Sequence, residues 1–187
     1  MYGMVNKAIE QMVCAKHGEE VWETIKVKAE VEVEVFISNE SYDDDVTYRL
    51  VAAASSVLGL PAETVLKGFG RYWVLETAQK GYGALMRSSG KNLAEFLVNL
   101  DHMHTRVKLM FPKLIPPRIE CHAVTSSSLQ LRYFSHRPGL APFVIGLVEG
   151  LGEMFSTPAE VEQIGRRGGE VDHDTFLVRW KPSAVGA

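Results

Sequence analysis

The adjacent prolines Pro116 and Pro117 are the strongest constraint on what this chain can fold into, because the apolar pattern changes across them. Proline nitrogens carry no hydrogen, so neither residue can sit within a helix or inside a sheet ladder. Upstream, apolar residues recur at helical spacing. Val5, Ile9, Met12 and Val13 share one helical face. A further helix is expected over 46–58, capped by Asp44 or Asp45. Pro61 opens the next, running through Trp73 towards Thr77, and 91–111 reads as one long helix. The alternating stretch 31–36 has a period of two and reads as a short extended piece. Downstream, 118–124 and 128–137 read as strands and 139–155 as a helix. Segments 161–167 and 175–180 read as a hairpin around Gly168 and Gly169. Helices first and a mostly antiparallel sheet afterwards define an α+β chain, and Pro116-Pro117 is its one compositional boundary.

The remaining composition excludes several classes. With 187 residues, 46% of them hydrophobic, the chain suits one sizeable core better than two independent domains. A formal net charge of −3 without a basic block gives no footing for nucleic acid. The longest apolar run, 140–148, is interrupted by Pro142 and far too short to span a bilayer. The amphipathic N-terminus carries an acid early, at Glu10, unlike a secretory signal, so a cytoplasmic protein without membrane insertion is expected. Cys14 and Cys121 form no C-x-x-C pair, which argues against a zinc ribbon and covalently attached c-type haem. Two lone cysteines suit free thiols in a reducing compartment.

Asn-Leu-Asp-His-Met-His, residues 99–104, places His102 and His104 two residues apart. Paired histidines at that spacing share a side on a strand but diverge on a helix. In 91–111 the apolar positions are Leu93, Leu97, Leu100, Val107 and Phe111, and position 104 fills the one gap in the stripe. His104 therefore faces inward, whereas His102 lies about 200° round the axis, with Glu95 and Arg106. A two-histidine zinc site is disfavoured. An inward histidine has two readings: a core residue bonded to a carbonyl, or a neutral imidazole offered to iron. The helix alone does not separate them.

A second constellation lies at Tyr133, Ser135 and Arg137. On a strand these project to one face and give a row of donors ending in a fixed positive charge. Such a row suits a molecule with two carboxylates on flexible arms, since arginine binds carboxylate bidentately. A solvated sheet face is the competing reading, because Y-x-S-x-R is short.

Taken in order, the opening MYGMVNKAIE, then VTYRLVAAASSVLGLP, FGRYW, NLDHMH, the proline pair, YFSHR and GLVEGL resemble haem-nitric oxide/oxygen-binding (H-NOX) domains. That family includes the haem sensor domain of soluble guanylate cyclase. The resemblance runs from Met1 to about Trp180 and is strongest to the cyanobacterial branch. It implies a single domain over 1–187, with a helical part over about 1–60 and a haem-binding α/β part over about 61–183, haem lying between them. His104, in L-D-x-x-H, would ligate non-covalent haem b. Tyr133, Ser135 and Arg137 would hold the propionates, and Pro117 would press on the porphyrin. Val5, Trp73, Met103, Phe143 and Leu147 would contact the cofactor or its gas.

Oxygen-binding relatives place a tyrosine three residues before a Gly-Leu pair. Here that position is Phe143, ahead of Gly146 and Leu147. Without that donor the resemblance favours NO and CO over oxygen. It also implies a sensor rather than an enzyme. Gas binding would weaken the iron–His104 bond, and the signal would pass to a separate histidine kinase or cyclic-nucleotide enzyme. Other readings stay open at this point: an oxygen sensor using the Trp73 indole as donor, a haem-free ligand-binding or interaction module, and a zinc hydrolase drawing on some of His17, His102, His104, His122, His136 and His173 with acids such as Asp172.

Overall fold

The structure is a computed structural model in which residues 1–181 are described. The tail 182–187, part of the domain span expected from the sequence, lies outside the described residues. The chain divides into two compact units, Met1–Phe69 and Gly70 onward. The division falls well before the proline pair, which instead separates the last of the consecutive helices from the first strand.

In the first unit, α1 (Gly3–His17), α2 (Glu19–Lys28) and α3 (Asp44–Leu58) precede α4 (Ala62–Tyr72), which runs across the division. Ile9, Val13, Trp22, Ile25, Leu50 and Ala54 are buried there. Inside that core the Thr47 hydroxyl donates to Asn6 Oδ1 at 2.6 Å, tying α3 to α1. Arg49 on α3 donates to the carbonyls of Ala29 and Glu30, satisfying main-chain oxygens at the end of α2. The expected side-chain cap of α3 is absent. Asp44 lies within the first turn and pairs with the Met1 ammonium at 2.7 Å. Asp44 and Asp45 therefore act through the positive end of the helix dipole. No strand forms over 31–36. Val31 and Phe36 turn into the core while Val35 stays exposed, so the alternation anchors a connecting segment without a ladder partner among the described residues.

The second unit begins with the end of α4, passes through a π-helical segment (Trp73–Ala78), and continues as α5 (Gln79–Ser89), α6 (Leu93–Val98) and α7 (Leu100–Met110). Strands β1 (Arg118–His122) and β2 (Ser128–Phe134) follow, then α8 (Ala141–Met154), β3 (Ala159–Gly165) and β4 (Asp174–Trp180). The four strands form one antiparallel sheet in the order β1-β2-β4-β3, giving the α+β class expected. Leu129, Leu131 and Tyr133 of β2 and Phe176 and Val178 of β4 bury one sheet face. Leu93, Phe96 and Leu97 of α6 and Val144, Val148 and Leu151 of α8 belong to the same core. Burying each large apolar side chain contributes roughly 1.5–3 kcal/mol.

The expected helix over 91–111 is two helices. Asn99 leaves helical geometry at φ −91°, ψ 2°, and its side-chain amide donates to the Ser89 carbonyl at 3.0 Å. α6 has its own start, where Asn92 Oδ1 accepts from the Glu95 N–H at 2.9 Å and the Glu95 carboxylate accepts from the Lys91 N–H at 2.7 Å. The second strand also ends sooner than expected, at Phe134, so Ser135 and Arg137 sit in the turn leading to α8. Among the described residues no single helix is long and apolar enough to cross a membrane.

Candidate functional site

α7 carries both histidines, and they diverge. His102 is exposed and borders a shallow polar cavity of about 120 Å³ with Ser88, Ser89, Asn99, Met103 and Arg106. Met103 also packs against the apolar core of the second unit. His104 is partly buried, and its Nδ1 is sheltered from solvent without a hydrogen-bond partner. Burial lowers the pKa of this imidazole. The Pro117 main chain, which can offer only its carbonyl, and the Asp101 carboxylate pull the other way. A neutral ring with an orphaned buried nitrogen costs about 1–3 kcal/mol unless something takes the lone pair or the proton. The reading of His104 as a satisfied core histidine therefore leaves one ring nitrogen unexplained, and a metal bond would explain it.

Asp101, one turn before His104, accepts at Oδ1 from the Ile119 N–H at 3.3 Å and so ties α7 to the start of β1. The segment between, 111–117, bears Pro117 beside His104 and also receives the second constellation. Arg137 Nη1 donates to the Ile115 carbonyl at 3.0 Å. The Arg137 N–H donates to Ser135 Oγ at 3.1 Å, and the Ser135 hydroxyl hydrogen-bonds with Tyr133. Tyr133 is buried in β2, opposite Ile119 on one side and Asp174 on the other. Burial raises its phenol pKa, opposed by the Ser135 hydrogen bond and the Arg137 charge. The structure thus joins Tyr133, Ser135 and Arg137 by a strand end and a turn instead of a continuous strand face. It also brings that turn and His104 to the same short segment, residues 115–117.

Trp73 opens the π-helical segment and, like Leu147, packs against the second unit's core. Residues 70–74 lie against the α8 backbone. A Cβ on Gly70 would overlap the Phe143 carbonyl and stand 2.7 Å from the Leu147 nitrogen, and one on Gly150 would stand 3.1 Å from the Val74 Cβ. Glycine is what permits that approach. Phe143 is partly buried on α8, and Val5 is partly buried on α1 of the first unit. Sequence reasoning missed Asp101, Ile115, Arg167 and Thr77, whose buried hydroxyl has no hydrogen-bond partner. All four act through main-chain groups or as an isolated hydroxyl, and none belongs to a periodic pattern. Among the described residues no group of three or more His, Cys, Asp and Glu side chains is placed to hold a metal ion, so the zinc-hydrolase reading lacks its ligand set.

The donor set fits a haem: one orphaned imidazole nitrogen and, near it, a phenol, a hydroxyl and a guanidinium suited to carboxylates. Comparison with known proteins agrees with that chemistry. A family model described as Haem-NO-binding matches residues 2–163. Soluble guanylate cyclase gcy-35 of Caenorhabditis elegans is 30% identical over 188 residues, covering 95% of this chain and 27% of the cyclase. Soluble guanylate cyclase 89Db of Drosophila melanogaster is 24% identical over 155 residues, covering 83% of this chain and 23% of that protein. The chain thus spans about a quarter of the curated relatives it matches. Among solved structures, an H-NOX protein from S. oneidensis in the Fe(II)NO ligation state superposes with a TM-score of 0.86 at 21% identity, over 97% of this chain and 99% of that one. The Fe(II) unliganded H-NOX protein from K. algicida does so with a TM-score of 0.86 at 20% identity over 100% of both chains. By the extent of the family match and by its fold, this chain belongs to the Haem-NO-binding family and is an H-NOX domain.

Proposed function

We propose that the chain is a haem-based gas sensor that binds NO and CO and signals to a separate partner, a histidine kinase or a cyclic-nucleotide enzyme. The observation carrying this reading is the convergence of His104, with its orphaned Nδ1, and the Tyr133–Ser135–Arg137 turn on residues 115–117. In this reading His104 ligates the iron of a non-covalent haem b, and Tyr133, Ser135 and Arg137 bind its two carboxylates. Pro117 would abut the macrocycle, and Trp73, Met103, Phe143 and Leu147 of the second unit would contact the cofactor. When bound, haem would supply a ferrous iron able to take a diatomic gas, and His104 would be the protein ligand whose hold on that iron the gas would weaken.

The chain's own part is to couple that imidazole to its scaffold. Pro117 meets the ring from the segment before β1, and Asp101 on the same helix as His104 holds the Ile119 amide of β1. A shift of the ring is therefore felt by α7 and by the edge of the sheet. Such a shift is driven only by the difference in affinity between two arrangements. Phe143 brings no hydrogen-bond donor to the gas, which favours NO and CO over oxygen. Free Cys14 and Cys121 suit a cytoplasmic setting.

Reduced, anaerobic protein exposed in turn to NO, CO and air tests the reading by absorption spectroscopy. Distinct and lasting NO and CO spectra are expected, with oxidation rather than a stable oxygen complex in air. A stable oxygen complex would overturn the selectivity and favour a Trp73 donor. Colourless protein that takes up no added haem would overturn the sensor reading altogether.

A further inference from the structure

The turn that carries Ser135 and Arg137 is held by a residue that no motif marks. Arg167 lies between β3 and β4, and its Nη1 donates to the Ser135 carbonyl at 2.6 Å and to the Arg137 carbonyl at 3.4 Å. Its own main chain is fixed in place. The Arg167 N–H donates to Asp174 Oδ1 at 3.1 Å, and Gln163 Nε2 donates to the same oxygen at 2.9 Å. Asp174 is buried and stands opposite Tyr133 in the β2–β4 ladder. A continuous set of bonds thus runs from the sheet interior through Asp174 and Arg167 to both carbonyls of the turn.

Those carbonyls flank the groups that would meet a carboxylate. Ser135 Oγ already accepts from the Arg137 N–H at 3.1 Å, and the Arg137 guanidinium reaches back to Ile115. A turn held at only one end would let the serine and the arginine move independently. Fixing both carbonyls from the one Nη1 of a single guanidinium removes that freedom, and a second positive charge stands behind the turn.

We propose that Arg167 is a positioning residue of the carboxylate clamp, locking the Ser135–Arg137 turn so that its hydroxyl and guanidinium are presented together to a dicarboxylate cofactor. This rests on the haem reading above and deepens it. Lysine at 167 keeps the charge and a single donor nitrogen but carries it on a flexible stem without the rigid guanidinium plane that directs Nη1, so it restores the function in part.

The test compares Arg167→Gln, Arg167→Lys and, as a control outside the clamp, Arg166→Gln. Three readouts apply: haem transfer to excess apomyoglobin, propionate bending modes by resonance Raman, and hydrogen exchange of the Arg137 amide with and without haem. Arg167→Gln is expected to lose haem about three- to tenfold faster, on the scale of one solvent-exposed charged hydrogen bond. It is also expected to shift the propionate modes and speed Arg137 exchange even in the haem-free protein. Arg167→Lys falls between it and the wild type, and Arg166→Gln matches the wild type. Wild-type haem loss, modes and exchange in Arg167→Gln would overturn the proposal and leave the haem reading intact. Wild-type protein that takes up no haem overturns that reading and the clamp with it.

Discussion

At Cys121 the thiol donates to the Leu97 carbonyl at 3.4 Å, and burial pushes its pKa up to about 11. Only about a thousandth of it is thiolate at pH 8, so alkylation is slow despite partial exposure. Iodoacetamide labelling followed by mass spectrometry should show modification far slower than that of a free thiol, rising about tenfold per pH unit. Rapid labelling near pH 7 would contradict this. Burial likewise raises the pKa values of Cys14, Tyr82 and Tyr133. In each case the folded chain keeps its proton to higher pH than the unfolded chain. Stability is therefore full below the unfolded values and falls as pH rises above about 9, which thermal melts across pH 7–11 would reveal. At Phe143, substitution by tyrosine supplies the absent phenol, and the variant is expected to hold oxygen in air where the wild type oxidises. At this scale the inward His104 and outward His102 were legible, because residues two apart diverge on any helix. Arg167 was not, because its partners are main-chain oxygens that sequence does not display.

Helices and strands of strong period were legible as elements, whereas their ends were set by single polar contacts. α6 and α7 share one apolar rhythm, yet Asn99 breaks the helix because its amide is bound to the Ser89 carbonyl. The strand over 128–137 stops at Phe134 because the turn beyond it is drawn towards Ile115 and Arg167. Residues 31–36 alternate like a strand, but with no neighbouring strand among the described residues burial does not follow the alternation: Val31 and Phe36 are buried and Val35 is exposed. The approach of residues 70–74 to α8 was equally hidden, since FGRYW and GLVEGL do not announce that their glycines face one another's elements. It yields a direct expectation. Gly70→Ala forces a methyl into the Phe143 carbonyl and should destabilise the fold by roughly 1–3 kcal/mol. For a chain of this size that lowers Tm by roughly 2–4 °C per kcal/mol, measurable by circular dichroism. An unchanged Tm would show that α8 yields at no cost.

Across the molecule, the α+β architecture and the family followed from ordered motifs spread over most of the chain, although each motif alone was weak. What the sequence did not display is the junction at residues 115–117, where a helix, a strand start and a turn meet. That junction is where a ligand joining His104 to the Tyr133–Ser135–Arg137 turn would add stability to the second unit. Haem at a hundredfold excess over its dissociation constant should stabilise the chain by about 2.7 kcal/mol, seen as a raised Tm on loading. The most direct test is the visible absorption spectrum of anaerobic, dithionite-reduced protein, wild type beside His104→Gly, with and without added imidazole. Stoichiometric haem with a five-coordinate ferrous spectrum in the wild type, lost in the variant and restored by imidazole, is the result predicted. Colourless wild-type protein, or the same spectrum in the variant without imidazole, would contradict it.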